Sequence, residues 1–259
     1  MRWDPRLALR RLSRLVTPMT LTQTQIREYD RRAMDSTETA TATFGIGCFW
    51  GPDAQFGAVD GVVRTRVGYA GGTKRDPTYH ALGDHTEVVQ VDFDPEIVPY
   101  RDLLNRVFKS HNPQRQTGKT QYQNIVLAET QNQQSVLDEL LTTRGLTADG
   151  IGTRIEQLSR FYPAEEYHQK YKLRSTSSFI DTFEAAGYSD DELRESPIAA
   201  KLNGYAAGYD VDIGENLAAA DHGSRPWERI GITSFVTADR FVDTSPSVWS
   251  SMFGALRAC

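Results

Sequence analysis

Apolar and polar residues alternate along "GVVRTRVGYAGG" (61–72) until two glycines break the pattern, which predicts a strand and then a turn. "TEVVQVDFDP" (86–95) predicts a second strand, with Val88, Val89, Val91 and Phe93 forming a half-buried ribbon. The period changes in "VPYRDLLNRVFKSH" (98–111), where Leu103, Leu104, Val107 and Phe108 recur at helical spacing. "QYQNIVLAE" (121–129) predicts a third strand, and "QQSVLDELLTTRG" (133–145) a helix stopped by Gly145. "TRIEQLSRFY" (153–162) reads as a strand and "AEEYHQKYK" (164–172) as a helix. Strands and helices mix without strict alternation, which favours an α+β fold with helices packed on a sheet.

The ends of the chain carry weaker patterns. Residues 35–43, "STETATATF", are polar and short-chained and read as a linker running into a strand. Residues 1–40 are therefore expected to be a flexible N-terminal extension, 41–175 the folded domain, and 176–259 a C-terminal extension. Within the last, "IDTFEAAGYSDDELRESPIAAKLNGY" suggests two short helices, the second capped at Ser189-Asp190. Residues 205–259 are rich in Gly, Ser, Ala and Asp; their pattern assigns no fold and reads as a flexible tail.

Composition narrows the classes of function. A net charge of −5 gives no sign of a nucleic-acid surface, and no apolar run reaches membrane-spanning length. The two cysteines, Cys48 and Cys259, are too few and too far apart for a disulfide framework. A reducing, cytoplasmic compartment follows, where a conspicuous Cys is more often catalytic than structural. The start, "MRWDPRLALRRLSRLV", has five arginines and one acid and lacks the apolar core of a secretory signal. An organelle transit peptide would be Arg-rich in this way, but Asp4 and the scarcity of Ser argue for a plain extension. The five His are scattered and no CxxC occurs, so no metal site is expected.

Cys48 stands in "GIGCFWGPD" (45–53), between glycines and an aromatic pair. A strand ending near Gly47 and a helix opening around Pro52 and Asp53 would put the thiol just ahead of a helix N-terminus. Free amides there favour an anion and should lower the thiol pKa, making a nucleophile. The local sequence alone equally allows a buried Cys in a Gly-rich turn. Phe49 and Trp50 could wall an apolar pocket beside the sulfur or serve as ordinary core contacts.

Five blocks decide between these readings. "GCFWG" (47–51), "GYAGG" (68–72), "DPTYHALGDHTEVVQVDFDP" (76–95), "TQYQNIVL" (120–127) and "FYPAEEYHQKYK" (161–172) follow one another in the order of the MsrA type of peptide-methionine (S)-S-oxide reductase, which residues 41–172 resemble. The resemblance implies a two-layer α/β sandwich around a mixed sheet, a ferredoxin-like core. It implies Cys48 as nucleophile, Phe49 and Trp50 as the methyl-binding wall, and Glu87 as proton donor. It implies Tyr69 and Tyr122 as hydrogen-bond donors to the sulfoxide oxygen. The implied partners are oxidised methionine, free or in proteins, and an external thiol reductant such as thioredoxin, with no bound cofactor. A monomer is assumed.

The chemistry requires such a set. A thiolate must attack the sulfoxide sulfur while the oxygen leaves, and the oxygen leaves only if a proton arrives. Glu87 can deliver one near neutral pH only if burial raises its pKa well above about 4.3. The sulfenic acid left on Cys48 must then be reduced, either through Cys259 as a resolving thiol on the tail or directly by an external thiol. Thr117 stands where many members of the family carry an Asp, and the stretch before His85 is shorter than usual. His85 is expected to cap a turn and His168 to pack near the pocket rim. Two other functions remain open at this point. One is a module that binds methionine sulfoxide without turnover. The other is a Cys-His hydrolase using Cys48 with His85 or His111.

Overall fold

The computed structural model describes residues 21–35, 38–147 and 150–211. Its centre is a mixed six-stranded sheet in the order β5-β4-β1-β3-β2-β6. The strands are β1 (Ala40–Ile46), β2 (Val62–Ala70), β3 (Thr86–Phe93), β4 (Asn124–Ala128), β5 (Arg154–Gln157) and β6 (Tyr162–Pro163). β4 and β5 run parallel and the other pairs antiparallel. This is the α+β arrangement around a mixed sheet that the residue pattern and the resemblance lead one to expect.

Alternation along β3 sorts its side chains between two apolar layers. Val89, Val91 and Phe93 join the main core with Phe44 of β1 and Val126 of β4. Helices α3 (Tyr100–Ser110) and α4 (Gln131–Thr143) close that core with Leu103, Leu104, Val107, Leu137 and Leu140. Both helices form where the periodicity puts them; Thr130 caps α4 by accepting from Gln133 N, and Gly145 follows it at φ +64. Val88 points to the opposite face, against Ala70, Ile125 and Leu127, under Leu158 and Phe161. β3 is thus buried on both faces rather than half-buried. Tyr69 and Glu87 are direct partners in the β2–β3 ladder, so their side chains stand together on one face.

Within residues 121–172, three expectations need correction. Residues 121–129 are not a strand from the start: a 3₁₀ turn, Thr120–Tyr122, precedes β4. Residues 153–162 form no continuous strand, because the chain leaves one sheet edge after β5 and returns on the other as β6. Residues 164–172 are not one helix. The Gln169 side chain bonds Val67 N, Val67 O and Ala164 O at 3.0, 2.9 and 2.9 Å, and Lys170 takes φ +53. Only Glu166–His168 (3₁₀) and α5 (Tyr171–Arg174) wind up on either side.

The expected flexible N-terminal extension contains helix α1 (Gln23–Asp35). Its Ile26 and Tyr29 pack with Leu173 and with Phe183, Leu193, Ile198 and Leu202 from α6 (Ser177–Ala185), α7 (Asp190–Glu195) and α8 (Pro197–Ala206). Among the described residues, the C-terminal region therefore holds three helices, where two were expected, and the boundary at 175 is not a break in packing. Ser189 caps α7 with a reciprocal Ser189–Glu192 capping box, and Ser196 with Pro197 starts α8. The tail, including Cys259, lies outside the described residues. Among the described residues no helix is long and apolar enough to cross a membrane.

Candidate active site

Cys48 occupies the turn between β1 and helix α2 (Trp50–Gly57), where Gly47 adopts φ +78 to redirect the chain. It is half-buried. The first turn of α2 contains Pro52 and the buried Asp53, as the sequence suggests, and Cys48 immediately precedes its N-cap, Phe49.

Glu87 is 1% exposed at the start of β3. Its Oε2 accepts from the backbone N of Phe49, the residue after the thiol, at 3.1 Å, and its Oε1 accepts from Gln121 Nε2 at 2.7 Å. Burial pushes the carboxyl pKa up, and the two donated hydrogen bonds offset only part of that rise. A buried carboxyl that holds its proton above the usual range is thus tethered one residue from the thiol. Gln121 also explains the 3₁₀ turn: that conformation aims its amide at Glu87 while Tyr122 ends the turn, half-buried, with Lys119 Nζ 4.2 Å from its ring centroid.

The aromatic pair is held from behind. The Trp50 ring stacks on Tyr171 at 3.6 Å and 2°. Trp50 Nε1 donates to His168 Nδ1 at 3.1 Å, which leaves the proton of the neutral imidazole on Nε2. Burial lowers the His168 pKa, so the neutral form that accepts this bond is favoured. Phe49 is fully buried, with its ring 5.0 Å from His168 and 6.0 Å from Tyr69. The Tyr79 ring also lies against His168, at 4.7 Å. His168 is therefore the centre of an aromatic cluster rather than a group at its rim.

Tyr69 is paired with a carboxylate. Its hydroxyl donates to Glu165 Oε2 at 2.7 Å, so its proton is already engaged. Glu165 also accepts from Tyr79 N at 2.9 Å; burial works against its ionisation, but these bonds prevail and hold its pKa below the usual range. His85 serves the turn, as expected: Gly72 N donates to its Nδ1 at 3.2 Å, and its Nε2 bonds Lys74 O at 2.7 Å. Thr117 accepts from Lys119 N at 3.3 Å and shapes the entry to the 3₁₀ turn. His111 bonds Val107 O and Thr153 Oγ1, both at 2.8 Å. Both nitrogens of His85 and of His111 are thus committed elsewhere, which argues against either as a base for Cys48. Among the described residues no group of three or more His, Cys, Asp or Glu could hold a metal.

Sequence reasoning did not single out Gln121, Glu165, Tyr79 or Tyr171. All four lie inside the quoted blocks, so the signal was present, but nothing local distinguishes them from surface polar or core aromatic residues.

The chain is similar to several known proteins. The family model described as peptide methionine sulfoxide reductase matches residues 40–195, which spans Cys48, Glu87 and the 161–172 block. A "Peptide methionine sulfoxide reductase" of Drosophila melanogaster is 42% identical over 172 residues, covering 65% of this chain and 69% of that protein. The "Peptide methionine sulfoxide reductase A5" of Arabidopsis thaliana is 40% identical over 177 residues, covering 64% and 68%. Among solved structures, methionine sulfoxide reductase A of Corynebacterium diphtheriae matches with 32% identity and a TM-score of 0.45, over 53% of this chain and 75% of that one. With a family model that matches more than half of its length, the chain belongs to the peptide methionine sulfoxide reductase family.

Proposed function

We propose that this chain reduces the S epimer of methionine sulfoxide, free or in proteins, to methionine. Cys48 is the nucleophile and Glu87 the proton donor. The observation that carries the reading is the bond from Phe49 N to Glu87, which ties a buried, protonatable carboxyl to the residue beside the thiol.

The thiolate of Cys48 attacks the sulfoxide sulfur and gives up two electrons to it. This forms an S–S bond while Glu87 protonates the oxygen, which leaves the substrate sulfur as hydroxide or water; that hydroxide or water then attacks the Cys48 sulfur, breaking the S–S bond, releasing methionine and leaving a sulfenic acid on Cys48. Tyr122 donates to the oxygen as charge grows there, and Tyr69 does so once that oxygen replaces Glu165 as its acceptor. Phe49 and Trp50 receive the methyl group, and the fixed pose of Trp50 on Tyr171 and His168 sets which face of sulfur meets Cys48. No prosthetic group enters the scheme. An external dithiol of the thioredoxin kind supplies two electrons and two protons, releasing water and restoring the thiol, either directly or through Cys259.

The test is methionine formation from separated S and R sulfoxides with dithiothreitol. The wild type should turn over the S epimer alone, and Cys48→Ser should form none. A folded wild type that binds methionine sulfoxide but yields no methionine would make it a binding module and end the proposal. If Cys259 resolves the sulfenic acid, Cys259→Ser should lose turnover with thioredoxin while keeping one equivalent of methionine per enzyme.

A further inference from the structure

Arg154 opens β5 and pairs with Ile125 across the parallel β4–β5 ladder. Ile125 belongs to the apolar cluster of Ala70, Val88 and Leu127, on the opposite face of β3 from Glu87. Arg154 therefore lies across the sheet from the reacting groups. Its guanidinium nevertheless reaches three segments that carry them. Nη1 donates to Thr86 Oγ1 at 3.2 Å and to Gln123 Oε1 at 3.1 Å, and Nη2 donates to Gly71 O at 2.7 Å. Thr86 precedes Glu87, Gln123 follows Tyr122, and Gly71 lies two residues after Tyr69.

The clasp extends further. Thr86 Oγ1 donates to Thr120 O at 2.9 Å, which fixes the start of the 3₁₀ turn whose Gln121 holds Glu87. Gly71 stands at φ +74, and a Cβ there would come 3.3 Å from Arg154 Nη2 and 2.8 Å from Ile125 Cδ1, so the turn comes this close only as glycine. On the outer side, Arg154 Nε donates to Glu156 Oε1 at 2.7 Å, which orients the fork. A planar group with five fixed donors suits three acceptors in three directions; a lysine ammonium does not.

We propose that Arg154 is the positioning residue that sets Glu87, Tyr122 and Tyr69 relative to one another. The proposal rests on the roles given to those three above. It assigns Arg154 no contact with substrate.

The experiment measures methionine formation against pH for the wild type, Arg154→Ala, Arg154→Lys, Gln123→Ala and Glu87→Gln. Arg154→Ala should lower kcat by about 10- to 100-fold with KM little changed, because misplaced groups cost the transition state and not the ground state. The alkaline limb of its profile should also move to lower pH, because a loosened Glu87 gains water and its pKa falls towards the ordinary carboxylate value. Arg154→Lys should be intermediate. Arg154→Ala added to Gln123→Ala should cost less than the product of the two single losses. A lower melting temperature with unchanged kcat, KM and alkaline limb would overturn the proposal, since a merely structural role predicts that result. Should Arg154→Ala fail to fold, Arg154→Lys and Gln123→Ala carry the same readings. Full activity in Glu87→Gln would sink the underlying site assignment. A slow Glu87→Gln beside wild-type Arg154 variants would sink the Arg154 proposal alone.

Discussion

Glu87 can act as an acid only while it holds a proton, and its surroundings decide how long it does so. Burial lifts its pKa, so the proton stays on at pH values where an exposed carboxylate has lost it. The rate of methionine formation should therefore stay level up to a pH above the usual carboxylate range and fall as pH rises through the raised pKa. Glu87→Gln should remove that limb and slow the chemical step by about 10²- to 10⁴-fold, the usual contribution of a general acid. Single-turnover rates over a pH series check both; an unchanged alkaline limb in the variant would assign it to another group. The thiol was legible because its neighbours are unusual: a glycine that takes φ +78, an aromatic pair, a proline. Glu87 was legible only through the resemblance, since a carboxylate at the head of a strand is otherwise an exposed surface group. Gln121, Glu165 and Tyr171 were not legible, because each acts on a partner at least 34 positions away.

Helix α2 is short, and its place is set by what its first turn buries. Asp53 is fully buried and accepts from Thr65 Oγ1 at 2.5 Å, Lys170 N at 3.2 Å and Asn203 Nδ2 at 3.0 Å, with Lys170 Nζ 3.6 Å away. Burial drives the Lys170 pKa down, with the Asp53 charge opposing. Asp53→Ala leaves that lysine without its counter-ion and should cost about 3–5 kcal/mol of stability, measured by chemical denaturation. It should also slow alkylation of Cys48, because the helix end is no longer held; a destabilised variant with normal Cys48 reactivity would mean that α2 needs no such anchor. The far end of α2 is met by Lys201 of α8, whose Nζ donates to Val59 O at 2.6 Å. Burial brings its pKa to about 8, from 10.5. Between those values the unfolded chain binds the extra proton, so this group makes stability rise with pH from about 8 upwards. Relative to Lys201→Met, the wild type should gain on the order of 2–3 kcal/mol over that interval, and parallel stability curves would contradict the shift. The elements themselves were readable where one period governs, as in α3 and β3. They were misread at 153–172, where the chain passes from one sheet edge to the other after β5 and the Gln169 side chain bonds Val67 N, Val67 O and Ala164 O.

The two ends of the described chain meet. Ile26 of α1 is fully buried among Leu173, Phe183, Leu193, Ile198 and Leu202, and Asp30 of α1 accepts from Ile198 N at 2.8 Å and Tyr188 Oη at 2.7 Å. Ile26→Ala should cost about 2–5 kcal/mol, as truncations at well-packed sites do. The loss should appear as one cooperative transition for the whole molecule, read by far-ultraviolet circular dichroism and tryptophan fluorescence together. Two separated transitions would show that the terminal helices form their own unit. By itself the sequence determined the α+β class, the strand and helix of the central elements, the candidate thiol and its aromatic neighbours, because these depend on local periodicity and on short motifs. Tertiary structure alone decided that residues 23–35 are a helix against residues 173–202, that Glu165 holds the Tyr69 proton, and that Arg154 clasps three segments from across the sheet. Those features join residues about 30 to 170 positions apart, and a distant partner leaves no period or spacing in the chain around either residue.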